Sequence, residues 1–266
     1  MSHIIIGQPA LPAYPFDQNE FNIPISIKFS DSKTLTITHK LARPTLADLL
    51  ERESQSMPEM EEVAPNEDAF HTDAEGANAK LWDKVAKQVQ GYKAAGVSKD
   101  DWADVTPELA AKIPSGHKNA AISGIYAARC VVERDSDDGF NLDGESYIIR
   151  QEIGTGDEPS YVVRHTLRQP TESERREYDK AAGKASQVFG SRKRKIRFRT
   201  NLKAEVALYD KLIERVDGAT VRGQSWDSYT AESKEQLGGF IGIIDPLFQR
   251  QAVQALLSSL SASLSD

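Results

Sequence analysis

The chain has 266 residues, 39% hydrophobic and 27% charged, which suits one large domain or two ordinary ones and excludes a disordered chain. Its formal net charge of -7 argues against a surface that coats nucleic acid all round. A single cysteine, Cys130, excludes an intramolecular disulfide and a cysteine-rich zinc site, and no apolar run approaches the roughly 20 residues that span a bilayer.

The first segment, 1–20, carries Pro9, Pro12 and Pro15 and no strong periodicity. It is expected to form an extended arm, free to lie on another subunit. It has no basic n-region or small-residue cleavage site, so no signal peptide is expected, and the lone cysteine suits a reducing compartment. The apolar neighbours of Cys130 in YAARCVV make it a core thiol rather than a nucleophile.

From residue 21 onward the chain reads as a sheet-forming hairpin. NIPISIKF is followed by the turn-like SDSK, and then Leu35, Ile37, His39 and Leu41 alternate on one face. Pro44 ends the strand because it cannot donate to a ladder. Thr45 followed by Asp48 then has capping-box spacing, so a helix should start there with Leu46, Leu49 and Leu50 buried.

The same phrase returns later. H-x-L-x-x-P-T occurs at His39 and at His165, and Tyr161, Val163, His165 and Leu167 alternate as the first set does. Pro170 and Thr171 repeat the strand end and cap, with Glu174 in place of Asp48 and with Tyr178, Ala181, Ala182 and Ala185 as the helical stripe. Further on, LWDKVAKQVQGY matches LYDKLIERVDGA. Both read as helices that stop at Gly91 and Gly218. IPSGHKNAAISGIY then matches IDPLFQRQAVQALL, each a turn followed by an apolar helix. Three matched blocks in one order point to a tandem duplication. The expected fold class is α+β, with each unit a β-hairpin followed by about three helices. The plan is an arm (1–20), unit one (21–134), a polar linker (135–145) and unit two (146–266).

The two copies disagree most between their first and second helices. Residues 59–75 hold seven acidic residues and no lysine or arginine, including Glu59, Glu61, Glu62, Glu67 and Asp68. At the matched place, 191–200 holds six basic residues and no acidic one: Arg192, Lys193, Arg194, Lys195, Arg197 and Arg199. Three roles fit the basic stretch. It could neutralise phosphates of a nucleic acid, be a solvated loop, or pair with the acidic stretch within a chain or between copies. Its alternation over 195–199 also suits a short strand with a basic face.

Little in the sequence points to chemistry. His39 and His165 lie on the expected core face, so a core histidine bonded to a backbone group is the expected role, and an enzyme built on the two hairpins is the lesser reading. His3, His71 and His117 are isolated, and nucleotide-binding and hydrolase motifs are lacking. DSDDGFNLDGE resembles a calcium loop, but its glycine falls one position early for an EF-hand and helices are not expected on both sides. Neither cofactor nor metal is expected, and the chain is read as a non-enzyme.

The segments LARPTLADLLERE, LRQPTESERREY, LYDKLIERVDG and IDPLFQRQAVQALL resemble small proteins of the tail-morphogenesis regions of tailed bacteriophages, including tail assembly chaperones. The resemblance covers about a third of the chain, and the first copy lacks the acidic DP of the last block. It implies a virion structural or assembly protein acting in the bacterial cytoplasm, with other phage structural proteins and copies of itself as partners and no membrane contact.

Overall fold

Strands β2 (Glu20–Ser30) and β3 (Lys33–Ala42) form the first expected hairpin, antiparallel with Phe21 opposite Leu41 and Ile23 opposite His39. The computed structural model describes residues 11–30, 33–57, 59–64, 67–71, 73–93, 98–133, 146–154, 160–184, 186–189, 196–199, 201–230 and 239–262. The fold is α+β. Phe21, Ile23, Ile37, His39 and Leu41 are buried on one face of the hairpin, as their alternation requires. Pro24 is tolerated because β2 is the outermost strand of its sheet, where a missing N–H breaks no ladder.

Helix α1 (Leu46–Gln55) starts where the cap residues predict. Thr45 Oγ1 accepts from the Asp48 N–H at 3.2 Å, and Asp48 Oδ2 accepts from the Thr45 N–H at 3.0 Å, completing a capping box. The buried face differs from expectation. Leu49 and Glu53 are buried and Leu50 is half-buried, but Leu46, the first residue after the cap, is exposed. A second hairpin follows, β4 (Glu59–Ala64) with β5 (Glu67–His71), then α2 (Ala74–Val85). Ala77, Leu81, Trp82 and Val85 form the buried stripe of α2.

The expected helix up to Gly91 is corrected at this point. α2 ends at Val85 and passes without a loop into strand β6 (Ala86–Gln90), which pairs antiparallel with β3. Pairing with the hairpin satisfies this backbone outside the helix, and Val89, opposite His39, is buried. β7 (Ala103–Asp104), α3 (Pro107–Ala110) and α4 (Ser115–Ile125) follow, giving the sheet order β2-β3-β6-β7 with α4 against both α2 and β2.

The later residues run through the same order of elements. β8 (Ala128–Glu133) precedes the hairpin of β9 (Ser146–Ile153) and β10 (Tyr161–Arg168) and pairs with β9. Helix α5 (Glu172–Lys184) begins immediately after Thr171. Of its expected stripe Ala182 is buried, Tyr178 half-buried and Ala181 exposed. The hairpin β11 (Ser186–Phe189) and β12 (Ile196–Arg199) leads to α6 (Leu202–Leu212). α6 likewise runs directly into a strand, β13 (Ile213–Asp217), again in place of the expected continuous helix. β13 pairs with β10, placing Val216 opposite His165 as Val89 lies opposite His39. Each of these pairings is irregular at one place, between Lys40 and Leu41 and between Thr166 and Leu167. β14 (Ala219–Thr220), α7 (Trp226–Thr230) and α8 (Pro246–Ala262) complete the described chain.

Contacts group the described residues into two compact bodies, one of 18–126 with 172–205 and the other of 11–17, 127–171 and 206–262. This grouping departs from the sequence boundaries in three places. The strand 128–133 joins the second sheet, 172–205 groups with the first body, and part of the arm packs on its own chain. In that arm, β1 (Tyr14–Pro15) pairs parallel with β14, and Tyr14 and Phe16 are buried against Phe248. Asp17 Oδ2 accepts from the backbone N–H of Arg222, which has φ 50°. In the first body, Glu53 Oε2 accepts from the N–H of Leu202, at the first turn of α6, at 3.4 Å. The linker 135–145 lies outside the described residues.

Gly91 and Gly218 follow β6 and β13 with φ of 93° and 74°. A Cβ on Gly91 would lie 2.9 Å from the Thr36 carbonyl oxygen, and one on Gly218 only 2.2 Å from the Val162 carbonyl oxygen. Gly223 shares the left-handed backbone (φ 73°) but has open space around it. Alanine at Gly223 should therefore cost about 1 kcal/mol, alanine at Gly91 more, and alanine at Gly218 the most. Thr45→Ala should cost about 1 kcal/mol through loss of the cap. Urea unfolding of the four variants would check the order.

Candidate functional site

The repeated histidines are the most constrained polar groups in the fold. Both His39 and His165 have 0% exposure. A buried imidazole needs partners at both nitrogens. The sequence suggested a backbone partner; the structure supplies side chains instead. Trp82 on α2 donates its Nε1–H to His39 Nδ1 at 2.9 Å. Because indole only donates, Nδ1 carries no hydrogen and the neutral ring is protonated at Nε2. Nε2–H then donates to the Tyr92 hydroxyl at 3.0 Å, and that hydroxyl donates to His117 Nδ1 at 3.1 Å. His165 follows the same rule. Gln151 Oε1 lies 3.1 Å from His165 Nε2, and an amide oxygen only accepts, so the proton is again on Nε2. His165 Nδ1 accepts from the Tyr209 hydroxyl on α6 at 2.7 Å.

The surroundings keep both rings neutral. Burial, then the neighbouring His117, lowers His39 from 6.5 to about 4, and burial alone lowers His165 to about 3. Burial raises the Tyr92 hydroxyl, and burial together with the Asp210 carboxylate raises that of Tyr209. Lys118 lies over the Trp82 ring at 5.0 Å and donates to Asp83 at 2.6 Å, so the indole packs beneath a paired cation. In the second body, Gln151 Nε2 donates to Gln251 at 2.8 Å and approaches Cys130 Sγ at 3.6 Å. Burial pushes the Cys130 thiol up to about 11, against the opposing effect of the Gln151 hydrogen bond. Neither nitrogen of either histidine is left for a substrate, and both rings hold far too little proton affinity for acid–base work near neutral pH. Sequence reasoning missed Tyr92, His117 and Gln151. The alignment of Trp82 with Tyr209 was the available signal for the helix partner.

The oppositely charged segments have a different setting. Neither is a simple loop: each contributes to a two-stranded ribbon, and both ribbons belong to the first body. In the acidic ribbon Glu59 is in register with His71, Met60 with Phe70, Glu61 with Ala69, and Glu62 with Asp68. In the basic ribbon Ile196 is in register with Phe189, Arg197 with Val188, Phe198 with Gln187 and Arg199 with Ser186. Arg192, Lys193, Arg194 and Lys195 lie outside the described residues.

Among the described residues no group of three or more His, Cys, Asp or Glu is placed to hold a metal, and no helix is long and apolar enough to cross a membrane. Comparison with protein-family models, curated proteins and solved structures gives no match.

Stability should fall in acid for a definite reason. As pH drops below 6.5 the unfolded chain takes up protons that the folded histidines refuse. The stabilising contribution is complete above about pH 6.5 and is lost as pH falls through about 4 for His39 and about 3 for His165. It is a few kcal/mol per ring, and larger for His165 than for His39. Tyr209→Phe, which removes the donor to Nδ1, should cost about 1–3 kcal/mol at neutral pH. Denaturant midpoints measured from pH 7.5 to 4, with His39→Asn and His165→Asn as references, would check both statements.

Proposed function

We propose that the chain is a non-enzymatic structural or assembly protein of tailed bacteriophages, active in tail and virion morphogenesis through protein–protein contacts. It works in the cytoplasm of the bacterial host, with copies of itself and other phage structural proteins as partners. One observation carries the reading. Two segments at corresponding places in the order of elements form ribbons of opposite charge, Glu59–His71 against Ser186–Arg199. Opposite charge at two places on a repeated body orients copies head to tail. The resemblance of the capped-helix segments to tail-morphogenesis proteins supports the phage assignment.

A tandem duplication accounts for the shared order of hairpin, helix, ribbon, helix and strand, and for the matched positions of His39 with His165, Trp82 with Tyr209 and Gly91 with Gly218. On that view the core residues stayed under one constraint while the ribbons diverged toward different partners.

The six basic residues of 192–199 favour a second reading, an accessory protein that binds nucleic acid. Deleting the gene from the phage or prophage that carries it should leave lysates with tailless or incomplete particles by electron microscopy. Intact, infectious particles would remove the assembly role. Retention on a DNA column that weakens steeply with salt, with particle morphology unchanged, would favour the second reading.

A further inference from the structure

The two ribbons are unfinished as sheets. Among the described residues neither β4–β5 nor β11–β12 is hydrogen-bonded to a third strand. A lone two-stranded hairpin is at best marginal in water. The acidic one carries a further cost, because Glu62 and Asp68 are directly opposed in register and like charges at facing positions repel. Among the described residues β4 and β12 each leave one edge unpaired, and a free edge is a template for another strand.

Their sequences are complementary at the period of a strand. β4 begins Glu59-Met60-Glu61-Glu62, and β12 reads Ile196-Arg197-Phe198-Arg199. We infer that β4 of one copy pairs antiparallel with β12 of a second copy, with Glu59 opposite Arg199, Met60 opposite Phe198, and Glu61 opposite Arg197. In this register both arginine positions meet carboxylate positions on one face, while the other face sets Met60 opposite Phe198 and Glu62 opposite Ile196. The product is a four-stranded sheet, β5-β4-β12-β11, shared by two copies. One chain carries both complementary edges and keeps them in separate sheets, and this charge complementarity favours a second copy as the occupant. Each copy offers one acidic and one basic edge, so the contact is heterologous and propagates into a ring or filament. This inference rests on the reading of the chain as a self-associating protein and adds the surface and the register.

Disulfide trapping tests it directly. Two full-length chains with different tags, one Met60→Cys and one Phe198→Cys, both on a Cys130→Ser background, would be mixed and mildly oxidised. A mixed-tag dimer should dominate and should decline at least fivefold at 1 M salt. Glu59→Cys with Phe198→Cys should trap at least fivefold less, because adjacent strand positions face opposite sides. Equal trapping of every pair, or no adduct at concentrations where sedimentation shows self-association, overturns the proposal, as does a chain that stays monomeric at all concentrations. A second measurement covers variants that fold poorly. Arg197→Glu with Arg199→Glu should abolish self-association, and adding Glu59→Lys with Glu61→Lys in the same chain should restore it. If the arginine variant self-associates normally but no longer binds DNA, nucleic acid is the partner and the pairing is wrong. Failure here is separable from failure of the assembly role: particles that still require a chain giving no adduct remove this contact alone.

Discussion

A neutral imidazole bonded at both nitrogens is the constraint around which each half is arranged. Trp82 Nε1–H or the Tyr209 hydroxyl must reach Nδ1 from the helix, while Nε2–H needs an acceptor on the other side. Protonating Nδ1 would set donor against donor at Trp82, in a place where water cannot intervene. One ring therefore couples three decisions: which face the hairpin buries, where the helix stops, and how the next strand aligns. The valine opposite each histidine, Val89 or Val216, lies the same distance along the chain from the aromatic partner in both halves. A slip of one residue in β6 or β13 would turn that valine to the other face while the helix still held its aromatic in place.

This coupling explains the abrupt change from helix to strand. Ala86 leaves the helix with φ -70° and ψ 131°, and no loop intervenes. The glycine after the strand completes the turn, since a Cβ on Gly91 or Gly218 would press on the neighbouring backbone. The helix partner and the valine opposite each histidine thus lie on segments that pass from helix to strand without a loop.

The parts legible in the sequence are those specified locally. Alternation placed both hairpins, proline ended their last strands, and Thr45 with Asp48 marked a cap that the structure contains in full. The strands β6 and β13 were not legible, because VAKQVQ and LIERVD satisfy a helical spacing as well as a strand spacing over so few residues. Only pairing with β3 and β10, distant in sequence, decides between them. The same non-locality hid Tyr92 and Gln151, which reach the histidines from other elements, and the strand β8, which lies before the polar linker yet pairs with β9. Leu46 went astray for a different reason. Spacing gives the stripe, but only packing says how far along the helix the stripe stays covered.

The ribbons invert the logic of the core. In the core both histidines are bonded at both nitrogens by side chains of their own body, in nearly the same way although Trp82 and Tyr209 differ chemically. The two ribbons carry opposite charge, and in the acidic one Glu62 and Asp68 are directly opposed in register, where neutral residues would be more stable. If an edge of opposite charge joins a segment that is poor as a free hairpin, association and local folding become a single event. On that proposal marginal stability would serve specificity, because an edge that lacks the matching alternation of cation and apolar residue would not complete the sheet.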